Sequence, residues 1–532
     1  MYNSTDLYIG LFITTNCKKA GISKSTFIQS KKIIFSTKIK ERNFDFNIPF
    51  GTKLESFIVD PVHKKIKIVF NRPFSYQPFR NENVAHIYKV IKDFWGKRFK
   101  NYKFSIQTLG YPIEKLIPNY YRSSHLFYDS TRIPPKINRP NPVVKNISKL
   151  VHFKNGLYNK NIVVAPSHGW YFNTKKDRWE WQRPRLFQSV EDLLPNAFCI
   201  PYLIPMLENA GANVFDPREK DIQTKVVVVD NDSKIDIRKG YYREKSFDIK
   251  NNWKTGTGKG FKPGKLPYRV DYNPFTKGTY RTIFSDTVVT GKATWMPDVP
   301  QTGYYAVYVS YFASKNNVDD AHYVVYHEGI RTDFSVNQQI GGSTWEYLGE
   351  FKFKEGYHPD SDKVVLINKS SEPNKIVSAD AVRFGGGMGV VSRGGRTSQR
   401  PKFVEASRYY LQYAGMPDSL YNFNHDANDY NDDKQDRSKY VNYLNGSSVN
   451  DKKGKGLGIP VDVSLAFHTD AGVTHNGKVI GTLVLYGDKG ENLQTVFPNG
   501  VSRLANRDLA DIVQTEVVNE IRNKYDPDWT RR

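Results

Sequence analysis

Three residues far apart in the chain, His168, Glu191 and His468, have the side-chain types of a zinc ligand set. His168 follows the apolar run Ile162-Val163-Val164-Ala165 in a Pro-Ser-His-Gly turn, and His468 closes a second run, Val461 to Phe467. Glu191 lies between them at the head of an apolar-periodic stretch. A histidine at the end of a buried strand is fixed at the rim of a sheet, where open α/β enzymes gather their chemistry. Two histidines and a carboxylate leave zinc a fourth position for water, whose pKa the metal lowers toward ~7. The combination points to a metallohydrolase.

Each residue also has a plain structural use. A lone strand-end histidine is commonly a hydrogen-bonded rim residue. Glu191, two positions after Ser189, suits the N-terminus of a capped helix, where the dipole favours a carboxylate. Asp470 either orients a ligand from behind or shapes a turn. His322, His327, His425 and His475 have no partners at ligand spacing and read as structural or surface residues.

The elements that must position the three residues follow from periodicity. A strand at 161–165, a helix from Glu191 to Ala210 stopped by Gly211, and a strand from Asn213 begin a βαβ unit of a parallel sheet. From about 241 to 384 the texture changes to short alternating runs such as Tyr304–Tyr311, His322–Tyr326, Thr344–Phe353 and Lys363–Ile367, which predict a β-sandwich. Helical spacing returns at Phe403–Ala414. Strands at 461–467 and 479–486 and a helix over about 501–522 follow, so an α/β domain is interrupted by a sandwich and resumes after it. Upstream, a strand at Lys64–Phe70, a helix over Asn81–Phe99 and a strand at Tyr102–Leu109 predict a small α+β unit. Residues 130–150 read as a Pro- and Asn-rich linker.

At 532 residues the chain has room for about three domains. Its two cysteines, Cys17 and Cys199, exclude a disulfide framework or a cysteine metal site. Residues 1–160 hold 29 Lys/Arg against 9 Asp/Glu, and so carry +20 of the net +24. That imbalance suits a polyanion such as a wall polymer or lipid headgroups, or simply a solvated lysine-rich surface. No nucleic-acid motif accompanies it, and no nucleic acid is expected. Leu7–Thr15 is a short apolar core before Asn16-Cys17, like the end of a bacterial lipoprotein signal with Cys17 as the lipidated residue. Export to the periplasm or cell envelope, with a lipid anchor at Cys17, is the expectation. No stretch is long enough to span a membrane as a helix.

The order His-Gly, then Glu, then Ser464-Leu465-Ala466-Phe467-His468-Thr469-Asp470-Ala471 resembles the zinc-dependent N-acetylmuramoyl-L-alanine amidases. Leu207–Glu219 resembles that family's helix, turn and strand leading to an Arg-Glu pair. The insert has its own resemblance. Trp253–Gly258, Ala293–Asp298, Gly303–Tyr308 and Ala379–Phe384 are similar to the golvesin C-terminal-like sandwich. An amidase split by this module resembles large exported Bacteroidetes proteins called xanthan lyase-like.

The resemblance implies a multidomain protein in five segments. They are an export segment at 1–30, a basic α+β region and linker at 31–150, the first half of an α/β amidase domain at 151–240, the inserted all-β sandwich at 241–385 and the second half of the amidase domain at 386–532. It implies Zn2+ on His168, Glu191 and His468, Asp470 behind them, and hydrolysis of the amide between N-acetylmuramic acid and L-alanine in peptidoglycan. The insert would contact glycan or protein. That family's general base is a glutamate on a final apolar strand, which this chain does not reach by Arg532, so the base is expected beyond it. Glu516 reads as a solvated helix residue. Two rival functions stay open: a non-catalytic binder of cell-wall glycan, and a polysaccharide lyase of the xanthan type, for which no Tyr/His/Arg cluster stands out.

Overall fold

The run Asn161–Pro166 forms a strand buried along its whole length, as a strand covered on both faces of a parallel sheet must be. It is the middle strand of a three-stranded sheet, with Asn213–Phe215 on one side and Val463–Phe467 on the other, both parallel to it. In this computed structural model the described residues are 24–136, 139–149, 156–183, 185–186, 189–232, 240–446, 455–469, 481–490 and 492–531. The chain divides into two units, Met1–Ile137 with Gly472–Arg532, and Asn138–Ala471. The protein is a multidomain mixed α/β chain with several β-sheets.

The connection between the first two parallel strands departs from one continuous helix. Residues after Glu191 form a short α-helix at Leu194–Phe198, a π-helical turn at Cys199–Leu203 and a second short α-helix at Ile204–Asn209. Pro201 and Pro205 lack the N–H groups that an α-helix would use there, so the ladder is broken and widened. Ser189 therefore caps nothing, and Glu191 precedes the helix instead of opening it. Gly211, at φ +100°, makes the left-handed exit that a side chain would resist.

The sandwich is built on two larger sheets. One is four-stranded, in the order Val227–Val229, Val382–Phe384, Gly303–Val309, Glu346–Phe353. The other is six-stranded, in the order Tyr241–Ser246, Gly291–Met296, Lys363–Ile367, Ala321–His327, Ile330–Val336, Val144–Asn146. Their inward side chains, among them Trp295, Tyr305, Val307, Tyr323 and Leu366, share one apolar core. Two of these strands lie outside 241–385. Val144–Asn146, in the expected linker, forms the edge of its sheet and pairs antiparallel with Ile330–Val336. Val227–Val229 pairs with Val382–Phe384. Each is only three residues long, too short for its alternation to be read from sequence.

The first unit contains a sheet in the order Leu54–Asp60, Lys65–Phe70, Lys103–Thr108, Tyr111–Pro112. Its middle two strands are parallel and joined through the helix Asn81–Trp95. The C-terminal helix Leu504–Lys524, joined by the sequence pattern to the 386–532 segment, packs here. Its inward face is charged: Arg507 donates to the carbonyls of Leu116 (2.6 Å) and Ser75 (3.1 Å). Asp508 pairs with Arg132 at 2.9 Å and Asp511 with Arg80 at 2.8 Å. Polar docking of this kind leaves little hydrophobic trace of its destination. Residues 481–486 carry no strand; Thr482 makes one isolated bridge, to Arg531. Glu516 is exposed on the helix. No described helix is long and apolar enough to cross a membrane. Cys17 and Asp470 lie outside the described residues.

Candidate metal centre

Ser167 makes the turn that delivers His168. It follows the buried strand at φ +43°, and its N–H reaches the carbonyls of Ala165 (3.0 Å) and Phe467 (2.9 Å). A non-glycine residue held left-handed at a strand end is strained backbone of the kind that clusters at functional sites. Gly169 follows because nothing larger fits: a Cβ there would stand 2.6 Å from the backbone nitrogen of Ala406 and from the carbonyl carbon of Glu405. The His-Gly pair is thus set by close passage of the segment that returns after the sandwich.

His168, Glu191 and His468 converge. One donor atom from each lies within 4.8 Å of the others, with His168 and Glu191 buried and His468 half-buried. The two imidazole rings stand 4.9 Å apart, centroid to centroid. Ser167 Oγ donates to Glu191 Oε1 at 2.5 Å and lies 3.2 Å from His468 Nδ1. The N–H of Thr469 donates to Glu191 Oε1 at 3.0 Å. Glu191 is therefore oriented by both ligand-bearing loops.

Behind His168 stands Asp433, whose Oδ2 lies 3.9 Å from its Nδ1. Burial, the largest influence on Asp433, acts to raise its pKa. Hydrogen bonding and charge from His168, Arg437 and Ser407 outweigh it and hold the carboxyl well below the usual range. Ser407 gives Asp433 both its N–H (2.8 Å) and its hydroxyl (2.7 Å), and Gln182 adds its side-chain amide at 2.7 Å. Arg437 donates to the carbonyl of Ser167 at 2.7 Å. Arg218, wholly buried, grips the carbonyls of Pro166 (2.5 Å), His168 and Glu405 (3.0 Å). Two arginines thus fix three successive carbonyls of the ligand loop. Beside Glu191, burial pushes Asp192 up to about 7, against the opposing N–H of Arg183 and charge of Arg218.

Asp433, Arg437, Ser167 and Arg218 belong to no motif that singles them out in the sequence. One signal for Asp433 is nonetheless there. Asp429, Asp432, Asp433 and Asp436 fall at helical spacing on Asp429–Asn445, and all four are buried. An acidic stripe ordinarily reads as the solvated face, yet here it meets Arg393, Arg408 and Ser407. His322 pairs with Asp333 at 2.7 Å on the sandwich, and His475 lies outside the described residues.

Two nitrogens and one oxygen brought together in this way, with a carboxylate behind one imidazole, could hold a metal ion. A buried candidate metal centre beside a β-sandwich is the class that fold and site define. Comparison with known proteins places the sandwich: residues 270–386 match the Golvesin C-terminal domain. No amidase family matches. The chain is similar to the xanthan lyase of Bacillus sp. (strain GL1), with 32% identity over 96 residues, 18% of this chain and 10% of that enzyme. Among solved structures, a Paenibacillus xanthan lyase is similar at 25% identity and a TM-score of 0.24, over 31% of this chain and 13% of its own. A xylan-binding domain from CBM 22 is similar at 15% identity and a TM-score of 0.14, over 28% of this chain and 96% of its own. The chain spans about a tenth of the length of the curated relative it matches.

Proposed function

We propose that the second unit carries a zinc-dependent hydrolase centre that cleaves an amide bond in peptidoglycan, the bond between N-acetylmuramic acid and L-alanine. The observation that supports it is the convergence of His168, Glu191 and His468 to within 4.8 Å at the ends of two adjacent parallel strands. Zinc held there supplies Lewis-acid polarisation of the scissile carbonyl and activation of water. The chain's own residues prepare the site. Ser167 and Thr469 orient the Glu191 carboxylate. Asp433 orients the His168 ring, and Arg437 holds the carbonyl of the preceding Ser167. Arg218 holds the loop backbone rigid.

Zinc content by metal analysis, with wild type against His168→Ala, tests the centre: about one zinc per chain is expected, lost in the variant. Release of muropeptides from peptidoglycan, abolished by a chelator, tests the reaction. Undiminished zinc in the variant, or release indifferent to chelation, overturns the reading. A second reading is action on, or binding to, an acidic polysaccharide, and the 32% identity to a xanthan lyase over 96 residues supports it. Ultraviolet-absorbing unsaturated ends would mark lyase action. Glycan binding that survives a chelator and His468→Ala, without product, would mark a binder.

A further inference from the structure

Within the first unit, the loop that follows the helix Lys24–Lys40 is fastened at several points. Arg42 turns left-handed at φ 57°, and its Nε donates to the carbonyl of Ile48 at 2.8 Å. The N–H of Asn43 returns to the carbonyl of Lys38 at 2.8 Å. His86 Nε2 donates to the carbonyl of Asp45, in the middle of the loop. A loop held in this way presents Phe44, Asp45, Phe46 and Asn47 already arranged, which lowers the ordering cost of binding.

These four residues line a cavity of about 430 Å³, a size typical of small-ligand pockets. Its other lining residues are Gln77 and, from one face of the helix Asn81–Trp95 at i, i+3 and i+4, Asn83, His86 and Ile87. Phe44 is backed by Phe35 and Phe94, at 5.3 and 5.6 Å between ring centroids. Phe46 stacks on Phe44 at 5.4 Å and 21° and stays half-buried, so it is the ring left to meet a ligand.

Polar atoms with spare capacity stand beside that ring. Gln77 is 4% exposed; its Nε2 donates to the carbonyl of Phe74 at 3.2 Å, while its Oε1 accepts no hydrogen bond among the described residues. Asn83 accepts from the N–H of Arg80 (2.8 Å) and gives one N–H to the carbonyl of Pro78 (2.7 Å), which leaves its second N–H. Because Nε2 of His86 donates to a carbonyl, the neutral ring keeps Nδ1 as an acceptor. The carboxylate of Asp45 and the amide of Asn47 are exposed.

Mixed donors and acceptors next to an apolar ring suit a ligand whose hydroxyl groups both donate and accept and whose C–H face packs on phenylalanine. Among the described residues no Lys or Arg lines the cavity, although residues 1–160 are strongly basic. A phosphate or a sugar carboxylate would find no cation there and would face Asp45. We propose that this cavity binds a neutral pyranose ring, stacked on Phe46 with its hydroxyls paired to Asp45, Asn47 and Gln77. The site belongs to a different unit from the His168 centre and does not rest on the zinc reading.

Saturation-transfer NMR and titration calorimetry of the full chain test the site with methyl β-D-glucopyranoside and N-acetylglucosamine, and with glucuronate and adenosine as rivals. At least one neutral sugar is expected to bind with a dissociation constant of about 1 mM, and more tightly than either rival. Phe46→Ala should weaken that binding about tenfold and Asn47→Ala about fivefold, while His168→Ala leaves it at the wild-type value. If Phe46→Ala does not fold, Asn47→Ala decides, since that exposed side chain makes no hydrogen bond among the described residues. No neutral sugar bound at about 20 mM, twenty times the expected constant, overturns the proposal. So does tighter binding of glucuronate or adenosine, or wild-type affinity in the Asn47→Ala variant.

Discussion

Phe467 stands directly opposite Pro166 in the parallel register of the two site strands. The next residues, Ser167 and His468, leave the sheet together, and the ring of His168 arrives 4.9 Å from that of His468. A slip of one residue would carry the side chains of Val463–Phe467 to the opposite face of the sheet and move His468 away from Glu191. Register, rather than either motif, makes the three residues a set.

If the proposed centre holds zinc, Asp433→Asn should weaken its binding by about 10–100-fold, because it removes the charge behind His168 without altering a ligand. Competition with a chromogenic chelator measures this. Ser407→Ala perturbs the same carboxylate from its far side and should lower stability with a smaller change in metal affinity. Equal affinity losses in both variants would assign Asp433 to packing alone.

Gly169→Ala places a methyl group 2.6 Å from the backbone of Ala406, where no flexible side chain can yield. Strain of about 1–3 kcal/mol is expected, read as a lowered urea midpoint. Because the displaced residue adjoins His168, zinc affinity should fall in parallel.

Arg383 and Glu219, both 0% exposed, form an ion pair, and Tyr308 donates to the same carboxylate at 2.9 Å. Arg383→Met strands a buried charge and should cost about 3–5 kcal/mol in unfolding free energy. The double variant Arg383→Met with Glu219→Gln should recover most of that loss, because it removes both charges. A double variant no better than the single one would contradict the pairing.

Glu346 is wholly buried, and burial pushes its carboxyl up to about 7 from an ordinary 4.5. The N–H of Gly342, 3.4 Å from Oε1, offsets only part of this. Between pH 4.5 and 7 the unfolded chain binds fewer protons here than the folded one, so stability falls as pH rises and levels off above 7. The contribution is fully present below pH 4.5 and at most about 3 kcal/mol. Glu346→Gln should remove that part of the slope and be the more stable protein at pH 8, as urea titrations across the range would report.

Much of the strand structure is legible in the sequence. The apolar run before His168 predicts a buried strand within one residue of its end, and the alternation of Lys64–Phe70 predicts another, both because side-chain period and burial are local properties. The sandwich strands at Gly303–Val309, Ala321–His327 and Lys363–Ile367 are equally plain. The helix after Glu191 starts later than its spacing predicts and is broken within, since the apolar period runs on through Pro201 and Pro205 while the backbone ladder cannot.

The sequence by itself determined which residues could hold a metal and which stretches would be buried, for composition and period are written along the chain. Tertiary structure alone decided that His168 and His468 share a register. It also decided that an acidic stripe on Asp429–Asn445 faces inward to support one of them, and that the helix Leu504–Lys524 packs with the N-terminal sheet. Those outcomes rest on charged and backbone partners hundreds of residues apart. A polar residue carries the same local signal whether it meets water or a buried arginine.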